Sequence, residues 1–261
     1  MPRTVLLRDW LDRHLARSHT EEELKDGYSL EPASADASFR RYFRVTLPSG
    51  DTRIVMDAPP ELEDCRPFLQ VAALFRDAGV HVPEVFDTDL AQGFLLLSDL
   101  GSTTYLSVLN ADTAPKLYRD ANAALVDIQR ASRPGALPEY DRALLTRELN
   151  LFPDWYVARH LGIALDEKQD ATLRAVFEKI LANNLAQPKV FVHRDYHSRN
   201  LMVVDGGYPA NPGVIDFQDA VYGPITYDLV SLYRDAYITC SGTGRLLHMR
   251  WPNNGLRLNN L

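Results

Sequence analysis

The run His193-Arg194-Asp195-Tyr196-His197-Ser198-Arg199-Asn200, followed after a short gap by Val214-Ile215-Asp216-Phe217, decides how the rest of the 261-residue chain is read. Leu201 to Val204 predicts a strand, Asp205-Gly206-Gly207 through Pro212 a turn, and Gly213 to Ile215 the returning strand. Asn200 opens the first strand and Asp216 closes the second, so antiparallel pairing brings both to one end. Asp195 lies on the loop that feeds that end. Three oxygen-bearing side chains meeting at one rim suit a hard cation that takes oxygen ligands. The alternative is a buried loop whose Asp and Asn merely cap backbone groups. The hairpin between Asn200 and Asp216, with an apolar residue before the second aspartate and Phe217 after it, weighs against that alternative.

Asp, four residues, Asn, a hairpin and a second Asp is also the order in which kinases arrange a proton acceptor and magnesium ligands. Composition allows this. The chain is long enough for one two-lobed unit with a sizeable core, and its 46% hydrophobic and 24% charged residues are ordinary for a soluble globular protein. A formal net charge of -7 argues against nucleic acid or an anionic membrane as the main partner. Cys65 and Cys240 are far apart and lack metal-ligand spacing, which implies free thiols in a reducing compartment. Arg3, Arg8, Asp9, Asp12 and Arg13 interrupt the first fifteen residues, so neither a signal peptide nor a membrane span is read there. The expected location is the cytoplasm.

Outward from the central run, the chain divides in two. Leu7, Trp10, Leu11 and Leu15 mark an amphipathic opening helix. Phe39 to Leu47 and Arg53 to Met56 predict paired strands across the turn Pro48-Ser49-Gly50-Asp51. Pro67 to Ala78 predicts a helix with Phe68, Val71, Ala72, Leu74 and Phe75 on one side and Gly79 as its stop. Val80 to Phe86 and Phe94 to Leu97 complete a small sheet. Beyond Ser98-Asp99-Leu100-Gly101, residues 114–128, 143–161 and 170–181 read as helices, Pro153 bending the second, and a final helix runs near 227–237. The expected fold is α+β and two-lobed: a small antiparallel β-rich N-terminal lobe over residues 1–98 and a helical C-terminal lobe over 99–239, carrying the hairpin. Residues 240–261 contain no Asp or Glu in a chain with 35 acidic residues. We read them as an atypical, non-native tail in place of a helical extension; the alternative is a basic, loosely ordered tail.

These residues resemble the aminoglycoside phosphotransferase and choline-kinase-like superfamily, and more narrowly the bacterial N-acetylmuramate/N-acetylglucosamine anomeric kinases. The narrower resemblance rests on Met56-Asp57-Ala58-Pro59-Pro60, Gly93 to Gly101, Glu148 to Tyr156, and Asp216-Phe217-Gln218-Asp219-Ala220-Val221-Tyr222-Gly223-Pro224, and it covers roughly residues 5 to 238. It implies a protein-kinase-like fold, ATP and Mg²⁺ as cofactors, an amino-sugar substrate, and a place in cell-wall recycling. Asp195 is then the general base, and Asn200 and Asp216 hold the metal. His193 and Arg194 brace the loop, His197 lies at the surface, and Asp228 is a structural anchor.

For the nucleotide, the resemblance implies linker contacts at Ser98, Asp99 and Leu100. It also implies a phosphate-covering loop over residues 34–39, with Ser38, although that segment lacks glycine. The third-strand Lys that usually holds phosphates is missing from Ile54-Val55-Met56-Asp57, so Arg40, Arg41 or Arg44 must compensate, and Arg41 is assigned to the nucleotide. For the acceptor, Glu148, Trp155 and Tyr156 fall seven and eight residues apart on one helical face, where aromatic faces and a carboxylate suit a sugar; Asp219 joins them. The rival expectations are an aminoglycoside or choline-type kinase, whose cationic acceptor needs an acidic pocket, and a non-catalytic, nucleotide-binding pseudokinase. Oligomeric state is not legible.

Overall fold

The computed structural model describes residues 2–18, 20, 25–35 and 39–238. Ser38, Cys240 and the tail 240–261 therefore lie outside the described residues, and so do the expectations attached to them.

Helix α1 (Arg3–Ser18) buries Leu7, Trp10, Leu11 and Leu15, the stripe expected from their spacing. Strands β1 (Ser29–Ala35), β2 (Arg41–Thr46) and β3 (Thr52–Asp57), helix α2 (Arg66–Asp77), and strands β4 (Val85–Asp89) and β5 (Phe94–Ser98) follow. The five strands form one antiparallel sheet in the order β1-β2-β3-β5-β4. Because side chains alternate across a strand, Val45, Val55, Phe94 and Leu96 pack on α1, while Met56, Leu95 and Leu97 join the core shared with α2. In α2 the buried set is Phe68, Val71, Ala72, Leu74 and Phe75, as the periodicity predicts, and Gly79 takes φ +84° just past the helix end.

The second half holds α3 (Tyr105–Val108), α4 (Ala114–Arg130), α5 (Arg142–Leu151), a π-helix (Phe152–His160), α6 (Glu167–Leu185) and α7 (Tyr227–Tyr233). Between α6 and α7 run two small antiparallel pairs, β6 (Lys189–Val192) with β9 (Val221–Pro224), and β7 (Leu201–Met202) with β8 (Gly213–Val214). This is the expected α+β plan, a β-rich half followed by a helical half with a hairpin. One continuous core joins the halves, running from Met56 and Leu95 through Phe75 to Phe217 and Leu232. Phe68 and Phe75 of α2 meet Phe217 at 4.9 and 5.8 Å between ring centroids, so the first half is packed directly on the hairpin exit. No helix of the described residues is long and apolar enough to cross a membrane.

Several elements differ from the periodicity. Strand β1 is an edge strand containing Pro32, with its pairing register shifted between Pro32 and Ser34. Proline and a bulge are tolerated there because an edge leaves some N–H positions unpaired. Strands β7 and β8 are two residues each, shorter than expected, because Val203 N–H donates to Thr103 O and Val204 N–H to Asn211 Oδ1. The helix expected over 143–161 is not one α-helix. Pro153 lacks the N–H that an α-ladder needs, and from Phe152 the chain widens to i→i+5 bonding, ending with Leu161 N–H on Tyr156 O at 2.9 Å. The last helix stops at Tyr233 rather than near residue 237.

Candidate active site

Strand β6 delivers the chain to His193, which is fully buried. Its Nε2–H donates to Ile215 O at 3.0 Å, and its Nδ1 accepts from Asp195 N–H at 3.2 Å. Both ring nitrogens are thus used by a neutral imidazole, and burial lowers its pKa to about 4. Asp228, at the start of α7, accepts from His193 N–H at 2.6 Å and Arg194 N–H at 3.0 Å. Burial raises this carboxyl to about 7 against those two donors. The loop between His193 and Asp195 is therefore pinned by a histidine and an aspartate, the bracing and anchoring parts expected of them.

Asp195 opens into a cavity, and partial desolvation followed by the charge of Asp216 pushes its pKa up from the usual carboxylate range. Asn200 joins the two aspartates. Its Nδ2 donates to Asp195 O at 3.0 Å and to Asp216 Oδ2 at 3.2 Å. Gln218 Nε2 donates to Asp216 Oδ1 at 2.9 Å. Arg194 and Asp216, neither a glycine, take φ 81° and 64°. The three residues expected to converge at the hairpin end do so.

Two cavities stand out, one at the linker and one at Asp195. The first, about 440 Å³, is lined by Ser98, Asp99 and Leu100 of the linker, His81 and Thr103, and Val203 to Asp205 of the hairpin. Among the described residues, Leu100 N–H makes no hydrogen bond, so it can donate to a ligand edge. Asp99 is structural in its side chain: it binds Arg44 Nε at 2.6 Å and caps Gly101 N–H at 2.9 Å, and those donors hold its pKa below the ordinary range despite burial. The second cavity, about 460 Å³, is lined by Arg194 and Asp195, Asn184 of α6, and Pro224, Thr226, Tyr227, Val230 and Ser231 around α7.

The remaining expected residues are distributed differently. Arg41 shares the α1 side of the sheet with Phe43, whose ring lies 5.6 Å from its guanidinium, and it pairs with the buried Asp57 alongside Arg3. The alternation that puts Arg41 there turns it away from the linker cavity. Arg44 shares the opposite face with Tyr42 and is held by Asp99 and Gly101 O. Glu148 accepts from Arg194 Nη2 and the buried Tyr140 hydroxyl, so its oxygens serve the loop. Arg194 Nη1 also reaches Asp219 O at 3.4 Å. Trp155 is 55% exposed with Arg159 3.8 Å above its ring, and Tyr156 stacks between Phe152 and His160. Neither aromatic lines the second cavity. Their shared face with Glu148 presumed an α-helix, and the π-helix rotates them away from that register. Asn184, Thr226, Tyr227 and Ser231 escaped the sequence reading. Thr226 and Tyr227 lie two and three residues past the phrase ending at Pro224 and were within reach of it, whereas Asn184 lies on an unremarkable polar helix.

The sequence model of the phosphotransferase enzyme family matches residues 29–250. An N-acetylmuramate/N-acetylglucosamine kinase of Pseudomonas aeruginosa is 50% identical over 236 residues, covering 89% of this chain and 68% of that protein. A protein of the same name from Neisseria meningitidis is 47% identical over 242 residues, covering 91% and 68%. Among solved structures, ADP-bound aminoglycoside phosphotransferase APH(2'')-Ib superposes with a TM-score of 0.58 at 14% identity, covering 80% of this chain and 72% of that one. The GDP complex of aminoglycoside 2'-phosphotransferase-IIIa gives 0.56 at 16% identity, covering 79% and 72%. These neighbours have the two-lobed, kinase-like fold described above. With a braced Asp195, Asn200 and Asp216 joined at the hairpin end, and most of its length matched, the chain belongs to the phosphotransferase enzyme family.

Proposed function

We propose that this protein is an ATP- and Mg²⁺-dependent kinase that phosphorylates the anomeric hydroxyl of N-acetylmuramate or N-acetylglucosamine, in cytoplasmic recycling of cell-wall sugars. The observation that carries this reading is the Asn200 amide, bonded at once to Asp195 O and Asp216 Oδ2, with Asp195 itself lining the second cavity. The acceptor class follows the relatives at 47–50% identity, which bear that name.

In this reading the lobes meet between Ser98 and Asp99, and the linker cavity takes the adenine against Leu100 N–H. Asn200 and Asp216 fit a magnesium ion. The Asn200 amide nitrogen is spent on the two aspartates, which leaves Oδ1 as its ligand atom, and each Asp216 oxygen keeps a lone pair beyond its amide donor. Among the described residues no group of three or more His, Cys, Asp or Glu gathers to hold a metal, which suits an ion completed by nucleotide phosphates. When bound, the ion neutralises charge on the phosphates. The chain supplies the rest. Asp195 faces the second cavity, accepts the acceptor hydroxyl's proton and orients its oxygen toward the phosphorus. The neutral His193 and Asp228 keep that carboxylate in place. Arg194, paired with Glu148, forms a wall of the acceptor cavity. Among the described lining residues Asp195 is the one carboxylate, which fits a hydroxylated sugar better than a polycationic aminoglycoside.

ADP release with N-acetylmuramate, N-acetylglucosamine, kanamycin and choline as acceptors tests the assignment. Stimulation by the amino sugars alone, with an acid-labile 1-phosphate as product, is expected. Stimulation by kanamycin or choline instead would replace the acceptor, and stimulation by none with ATP still bound would leave a non-catalytic nucleotide-binding protein.

A further inference from the structure

The chain beyond α7 returns to the catalytic loop. Asp235 Oδ2 accepts from Ser198 N–H at 2.8 Å, and its Oδ1 accepts from Tyr237 N–H at 2.8 Å. The Tyr237 ring meets His197 edge-on at 5.2 Å and lies 4.7 Å from the Arg199 guanidinium. His197, Ser198 and Arg199 are three of the four residues between Asp195 and Asn200, and each touches Asp235 or Tyr237. From the other side, Ser198 O accepts from Leu106 N–H at 3.0 Å, so both backbone polar groups of this buried residue are anchored, although its hydroxyl is buried without a hydrogen-bond partner.

The turn itself is held by short local bonds, His197 N–H to Asp195 O and Asn200 N–H to His197 O, each 3.0 Å. Such bonds fix a turn's shape but not its seating. A carboxylate that accepts a backbone N–H makes a charge-assisted bond, stronger than a neutral one. We infer that Asp235 is a positioning residue: by seating the Ser198 peptide it sets Asn200, and through the Asn200 amide the Asp216 carboxylate, in register with Asp195. The inference rests on the reading of Asn200 and Asp216 as magnesium ligands.

The test compares wild type with Asp235→Ala, Asp235→Asn and Tyr237→Ala. Three quantities are read: melting temperature, affinity for a non-hydrolysable ATP analogue titrated with Mg²⁺ in a calorimeter, and initial rate against Mg²⁺. Asp235→Ala should bind the analogue without metal as wild type does. It should need about tenfold more Mg²⁺ both to tighten that binding and to reach half-maximal rate, the usual scale for a residue that supports a metal ligand from behind. Its kcat should fall while the acceptor KM holds. Asparagine keeps one acceptor oxygen for Ser198 N–H, so Asp235→Asn should recover most of the loss. A lowered melting temperature with an unchanged Mg²⁺ requirement in these variants would overturn the inference and leave Asp235 a structural cap. If Asp235→Ala does not fold, Asp235→Asn and Tyr237→Ala carry the same comparison. A wild-type protein whose analogue binding ignores Mg²⁺ would instead overturn the magnesium reading, and the inference with it.

Discussion

Arg194 and Asp216 hold positive φ without being glycine, a conformation that costs on the order of 1–3 kcal/mol each and persists only where the surroundings over-determine it. Here the surroundings are the Asp228 carboxylate on Arg194 N–H, Glu148 on its guanidinium, and the Asn200 and Gln218 amides on Asp216. His193 and Asp228 also make opposing contributions to pH dependence. The folded pKa of His193, about 4, lies below the ~6.5 of an unfolded histidine, so its contribution is lost as pH falls from ~6.5 toward 4. The folded pKa of Asp228, about 7, lies above the ~3.9 of an unfolded aspartate, so its contribution is lost as pH rises from ~4 toward 7. Between pH 5 and 6 the two cancel. Urea unfolding at both pH values should show Asp228→Asn losing about 1.4 kcal/mol per unit of acidification relative to wild type, and His193→Gln gaining a similar amount. Equal pH slopes in all three proteins would refute the pairing. At this scale the sequence spoke clearly about Asp195, Asn200 and Asp216, because chain order and a hairpin suffice to bring them together. It was silent about Asp235 and Asn184, whose roles depend on packing between distant elements. The pairing of Arg41 with the buried Asp57 was likewise not legible, because which face of β2 a residue takes is set by the sheet around it.

The hairpin that carries Asn200 and Asp216 is too short to stand by its own ladder, with only Leu201 opposite Val214 and Met202 opposite Gly213. Its loop is held instead by the buried Asn211. The amide donates to Tyr105 OH and Asp120 Oδ2, both at 2.8 Å, and its Oδ1 accepts from Val204 N–H at 3.1 Å. Asn211→Ala leaves these groups unpaired in the interior and should lower stability by roughly 2 kcal/mol, read as a lower urea midpoint with an unchanged slope. An unmoved midpoint would show that the loop needs no such brace. Elements with a clean period, α1 and α2, were legible in their buried residues, because one apolar stripe explains each, and α2 within one residue at either end. Strand β1 and the π-helix were not. The first is an edge strand carrying Pro32, which resembles a loop in sequence, and the second arises from a missing N–H at Pro153 whose effect extends over nine residues. Trp155 and Tyr156 were placed on one face with Glu148 by an α-helical spacing that this stretch does not keep.

Across the whole molecule, α2 is the coupling piece. It covers the sheet with one set of contacts and presses Phe68 and Phe75 onto Phe217, one residue past Asp216, so the β-rich half and the Asp216 end of the hairpin share a core. Gly93 permits the chain entering β5 to close on the chain leaving β3: it takes φ +73°, and a Cβ there would sit 1.8 Å from Ala58 O. The two-lobed plan was legible because strand-like and helix-like periods change over near the linker. The two cavities were not, since a cavity is made by residues from several elements whose separation no single stretch encodes. In the reading proposed above, the joined Asp195, Asn200 and Asp216 perform phosphoryl transfer, with Asp195 as the base. Its most direct test is the turnover of Asp195→Asn with Mg²⁺–ATP and the amino sugars, measured beside the affinity for ATP. The account predicts a fall in kcat of about 10²- to 10⁴-fold with ATP affinity retained; near wild-type turnover in that variant would contradict it.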